Sequence, residues 1–120
     1  MKTNEAIKKI ILEGQNNNLI KISDDSSTIT YINQNISRNY NNPEEKIQAE
    51  TFCELVLKYN YPVEQVQQYV KVTVGSDVKE ADIIVYNDSA CKKPHIIVEC
   101  KKEETTEQEF KQAVRQAYAY

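Results

Sequence analysis

Ala81-Asp82-Ile83-Ile84-Val85-Tyr86 and, a few residues on, His95-Ile96-Ile97-Val98-Glu99-Cys100-Lys101 are the stretches on which the reading of this chain turns. Both are dense apolar runs of strand length, rich in β-branched residues. Such density suits a sheet covered on both faces. Each run is nevertheless interrupted by charge. Side chains alternate along a strand, so Asp82, Ile84 and Tyr86 share one face of the first run. Ile97, Glu99 and Lys101 share one face of the second. If the two strands pair, Asp82 converges with Glu99 and Lys101. Burying unpaired charge is costly, and such a group needs compensation.

A divalent cation supplies that compensation. Magnesium takes oxygen ligands, uses one or two carboxylates and keeps several waters. Asp82 and Glu99 are the expected ligands, with the backbone carbonyl of Cys100 as a third oxygen. Lys101, two residues beyond Glu99, reaches the same spot. There it can orient an attacking water or neutralise charge growing on phosphate oxygens. The plainer reading is that Asp82 ends a turn and Glu99 pairs with Lys101 at the surface, an arrangement worth about 0–1 kcal/mol. A lone Glu-x-Lys is common. What argues against the plainer reading is the ordered set around it.

Working outward, Val66–Val74 reads as a third strand, and Gly75-Ser76-Asp77 turns it into the Asp82 strand. The interval Asn87 to Pro94 joins the two decisive strands. Upstream, Asn42-Pro43-Glu44-Glu45 reads as a helix start: Asn42 caps, Pro43 suits the first position, and the acids face the positive end of the helix dipole. This helix is expected to run to about Tyr59. Its apolar line is Ala49, Phe52, Val56 and Tyr59 with Leu55 beside it, and Glu50 and Glu54 turn towards solvent. Traced back one turn, the line reaches Glu45, an acid that projects inward. Downstream, Thr106-Glu107-Gln108-Glu109 is a capping box opening a helix that buries Phe110, Ala113, Val114 and Ala117. The order is helix, three strands, helix, an α/β sandwich.

Residues 1–41 read as a separate extension: a short helix over Asn4–Leu12 stopped by Gly14, then a β-hairpin of Leu19–Ile22 and Thr28–Ile32 across the polar turn Ser23-Asp24-Asp25-Ser26-Ser27. An Asn-rich connector, roughly Asn33 to Asn42, follows. The core then occupies residues 42–120 and breaks off inside its last helix, as an excerpt from a longer protein would.

The chain has 120 residues, 40% of them hydrophobic and 28% charged, the balance of one folded domain. No apolar run approaches the ~20 residues that span a bilayer. Ile10-Ile11-Leu12 is too short for a signal peptide, so a cytoplasmic protein without membrane association is expected. Cys53, Cys91 and Cys100 are odd in number and His95 is the sole histidine, which disfavours a disulfide framework and a structural zinc site. Reduced thiols in the cytosol are expected. A net charge of −3 and a pI of 5.2 differ from the basic balance of a free-standing nucleic-acid binder. Any affinity for DNA phosphates must then come largely from other parts of a larger assembly.

Several motifs in order resemble the PD-(D/E)XK nuclease superfamily, and more closely the N-terminal nuclease domain of type I restriction enzyme R subunits. They are Pro43-Glu44-Glu45 opening a helix, Tyr61-Pro62, Ala81 to Tyr86, Ile97-Val98-Glu99-Cys100-Lys101-Lys102, and Gln116-Ala117-Tyr118-Ala119-Tyr120. The resemblance covers Pro43 to Tyr120 and implies a restriction-endonuclease-like α-β-β-β-α core, a mixed central sheet flanked by helices, beside the small helix and hairpin extension read above. It implies metal ligation by Asp82 and Glu99, with Lys101 as catalytic lysine and Glu45 as the helix glutamate supporting the metal site. Gln116 and Tyr120 match a Gln-x-x-x-Tyr motif acting near DNA or the active site, and their spacing puts them on one helix face. Relatives often carry arginine soon after the helix glutamate. Here Gln48 stands near that place.

The expectation is a Mg²⁺-dependent DNA endonuclease domain of a restriction–modification system, with Mn²⁺ as a substitute. DNA and further domains or subunits are its partners, and ATP enters only through a motor region outside this chain. The rival from another class is a non-catalytic module of the same fold, used for DNA docking or subunit assembly. A repair or junction nuclease of another branch is the third reading. Lys92, Lys93 and His95 form a small basic loop, read as solvated.

Overall fold

Asn42 caps a helix as its side chain dictates: its carboxamide oxygen accepts the Glu44 N–H at 3.0 Å, and Pro43 fills the first turn, where no N–H is required. In the computed structural model, which describes residues 3–99, the helix runs Pro43–Leu57. It is preceded by a helix Asn4–Asn16 (α1), and is therefore α2. Between them lie strands Ile20–Ile22 (β1), Thr28–Tyr31 (β2) and Ile36–Asn39 (β3). After α2 come a 3₁₀ turn at Val63–Gln65 and strands Val66–Val74 (β4), Asp77–Tyr86 (β5) and Pro94–Val98 (β6). The capping-box helix expected from Thr106 lies outside the described residues.

The described residues divide into two compact units, one ending at Val63 and the other beginning at Glu64. The expected boundary at residue 42 is one of sequence character. Compactness cuts elsewhere, because α2 packs on α1.

In the first unit β1, β2 and β3 form an antiparallel meander, with Ile20 opposite Tyr31 and Thr30 opposite Ser37. The extension therefore holds three strands where a hairpin was expected. β3 comes from the Asn-rich connector. It is largely exposed and shows no apolar alternation, as an edge strand can afford. Gly14 does not stop α1, which continues to Asn16 with Asn17 as its C-cap. Gly14 is buried, and a Cβ there would sit 2.5 Å from the Cys53 sulfur. The missing side chain lets α1 and α2 approach. Ile10, Ile11, Leu19, Ile20, Ile29, Ala49, Phe52 and Leu55 form the apolar interior. Phe52 meets the Tyr31 ring edge-on, with centroids 5.4 Å apart, a geometry worth about 0.5–1.5 kcal/mol beyond burial.

Two expectations for α2 are corrected. Glu50 and Glu54 are buried, not turned to solvent. Tyr40, just after β3, lies close enough to Glu50 and Cys53 for both to raise its phenol pKa, after burial itself, so this flank of α2 is covered. Tyr59 lies beyond the helix end and is 65% exposed, so it forms no part of the apolar line.

In the second unit the strand order is β4-β5-β6, antiparallel throughout the described residues. β5 is central, and every residue from Ala81 to Tyr86 is buried. Val72, Ala81, Ile84, Tyr86 and Ile97 form its core, with Val70 and Cys91 packed against them. Pro94 opens β6, a place where the missing N–H costs no ladder bond.

Candidate active site

The β5–β6 register decides which acids meet. Ile84 faces Ile97 and Ile83 faces Val98. One step further along the same register, Asp82 faces Glu99, the first residue past β6. Directly opposed residues on an antiparallel pair hold their Cβ atoms about 4.5–5.5 Å apart. Asp82 is fully buried. Its Oδ1 and both carboxylate oxygens of Glu99 are closed off from water. Two acids thus share one face of the sheet, side by side, away from solvent. Like charges placed directly opposite destabilise a sheet, and more so where water cannot screen them.

Hard carboxylate oxygens paired in this way suit a divalent cation that takes one or two carboxylates and completes its shell with water. Among the described residues no group of three or more His, Cys, Asp or Glu side chains is placed to hold a metal ion. Lys101 and the Cys100 carbonyl, expected at the same place, lie outside the described residues, as do Gln116 and Tyr120.

The other flank of Asp82 carries a feature the sequence did not signal. Gln68 faces Ile83 and Val70 faces Ala81, so the register places Tyr69 opposite Asp82. Tyr69 is absent from the regular pairs on either side of it and has φ of +55°. A left-handed backbone at a bulky non-glycine residue inside a strand is a genuine outlier. A tyrosine among valines in a strand gives no hint of it.

Glu45 projects inward as expected and is 7% exposed. Within the first unit, the Tyr31 hydroxyl donates a 2.5 Å hydrogen bond to its Oε2. Gln48 is buried on the same helix. Neither thiol among the described residues suits a nucleophile. Burial pushes the Cys53 thiol up to about 12. Burial, then the Asp88 and Glu64 carboxylates, raise that of Cys91.

In the β5–β6 loop, Asp88 accepts the backbone N–H groups of Lys92 at 3.0 Å and Lys93 at 2.9 Å. Both lysines are exposed, as is His95. Asp88 and Glu64 lie close enough to act on Cys91 in the same loop. The basic loop is thus locally balanced by acids.

A sequence family described as type I restriction enzyme R protein N terminus matches residues 43–120, about two-thirds of the chain. No curated protein and no solved structure gives a significant match. No helix among the described residues is long and apolar enough to cross a membrane. The chain belongs to the type I restriction enzyme R protein N-terminal family.

Proposed function

We propose that this member of the family is a Mg²⁺-dependent nuclease domain that hydrolyses DNA phosphodiesters as part of a restriction–modification assembly in the cytoplasm. The observation that carries the reading is the β5–β6 register, which continued one step past Val98 sets Asp82 opposite Glu99, with Asp82 Oδ1 and both Glu99 carboxylate oxygens closed off from water. Asp82 and Glu99 would hold the metal, with the Cys100 carbonyl as a third oxygen, and the ion would supply a lowered water pKa and polarisation of a phosphate oxygen. Lys101 would orient the attacking water or neutralise charge growing on the phosphate oxygens. By resemblance to the family, Gln116 and Tyr120 would act near DNA.

The first test is calorimetric titration of Mn²⁺ into the 120-residue chain and its Asp82→Ala variant, each with a short DNA duplex present. Binding by the wild type that vanishes in the variant is expected. A folded wild type that binds no Mn²⁺ overturns the reading. In the full assembly, Asp82→Ala, Glu99→Ala and Lys101→Ala each abolish cleavage, and wild-type cleavage in any of them removes that residue from the site.

A second reading has its own support. The net charge of −3 and the buried Gln48, near where relatives often place arginine, suit a non-catalytic module for DNA docking or subunit assembly. That module binds no metal and tolerates Lys101→Ala.

A further inference from the structure

Ala6, Lys9, Ile10 and Glu13 recur on α1 at the spacing that sets side chains on one helix face. Together with Lys58, the C-cap of α2, they line a half-open cavity of about 240 Å³ that belongs wholly to the first unit. Ala6 is exposed and its side chain ends at Cβ, which leaves the depression unfilled. Ile10, 3% exposed, gives it an apolar floor. Lys9 and Lys58 are exposed, and Glu13 is half-buried. Lys9 and Glu13 stand one turn apart, yet among the described residues no ion pair joins them. Lysine on the N-terminal side is the weaker order for such a pair. Lys58 Nζ lies 3.9 Å from Glu54 Oε2, a loose surface contact that another carboxylate can displace.

A bare anion in this cavity would meet the Glu13 carboxylate, and a bare cation would meet two ammonium groups. A molecule that carries both charges on a short apolar body answers every lining residue. We propose that the cavity binds a small zwitterion of the α-amino-acid class. Its carboxylate goes to Lys9 and Lys58 in charge-assisted hydrogen bonds, and its ammonium group to Glu13. Its side chain rests on Ala6 and Ile10. Drug-sized ligands fill roughly 300–1,000 Å³, so the smaller volume here limits the ligand to about the size of an amino acid. The charges stand at an open rim, so binding weakens as salt rises. This inference does not draw on the metal-site reading.

The test is an amide NMR titration of the 120-residue chain at low salt with three probes. They are L-leucine, isocaproate, which lacks the ammonium group, and isoamylamine, which lacks the carboxylate. L-leucine should shift the amides of Ala6, Lys9, Glu13 and Lys58 saturably. Each single-charge analogue should bind about ten-fold more weakly, as expected for one charged hydrogen bond. Lys9→Ala and Glu13→Gln should each weaken L-leucine by about the same factor. Ala6→Leu fills the cavity, keeps a good helix former at an exposed position, and should abolish saturable binding.

A wild type without saturable shifts overturns the inference. So does isocaproate or isoamylamine binding as tightly as L-leucine, and so does binding that survives in folded Ala6→Leu. None of these results touches the metal site. If Ala6→Leu does not fold, unchanged L-leucine affinity in Lys9→Ala is still enough to overturn it.

Discussion

Two buried acids, one in each unit, are treated in opposite ways. Glu45, near the start of α2, receives the Tyr31 hydroxyl from β2. Asp82, in the middle of β5, faces a second acid. The first arrangement answers a carboxylate with a donor and so closes a core. The second sets one acid opposite another, an arrangement that by itself destabilises a sheet. One carboxylate is answered within its own unit by a phenolic donor, and the other stands across the sheet from a second acid.

The comparison breaks most visibly at Tyr31. Tyr31→Phe leaves Glu45 in place without its phenolic donor, which should cost about 1–3 kcal/mol in urea unfolding. A smaller effect of opposite sign is expected in the second unit. Metal-free Glu99→Gln removes one of two opposed charges and should raise stability by up to about 1 kcal/mol. If Glu99→Gln destabilises as Tyr31→Phe does, the two acids are of one kind and the contrast fails.

The smallest effect concerns an exposed acid outside both pairs. Asp25 in the β1–β2 turn is held at about 2, below the ordinary 3.8, chiefly by the Ser23 hydroxyl and then by Ser27. Its folded value is depressed, so its contribution to stability is present above about 3.8 and lost as pH falls through about 2. An NMR titration should find the midpoint near 2 and move it upward in Ser23→Ala. An unmoved midpoint would assign the shift elsewhere.

Local chemistry made some of this legible. Asn42 and Pro43 announce α2 because capping depends on adjacent residues alone. Val66–Val74 is bounded in the structure where the sequence bounds it, by a turn at Gly75. Alternation placed Asp82 and Glu99 on matching faces. That they stand directly opposite needed the register, which no single strand contains. β3 was hidden because Ser37, Arg38 and Asn39 are exposed and polar, and only their pairing with β2 makes them a strand. Gly14 reads as a helix stop because its real constraint, the Cys53 sulfur, comes 39 residues later. Glu50 reads as solvated because Tyr40, which lies close to it, comes from the connector. The turn at Tyr69 leaves no trace in residue type at all.

The hydrogen bond from Tyr31 also bears on modularity. The family match begins at residue 43, yet the donor that answers Glu45 and the ring that packs on Phe52 both belong to residue 31. The stretch of sequence shared with relatives is therefore not the portion that is self-sufficient as a solid. Anyone transplanting the domain into a chimaera by cutting at the homology boundary would expose the α2 interior to water. In this protein the unit of inheritance and the unit of assembly have different edges, and graft design has to follow the second.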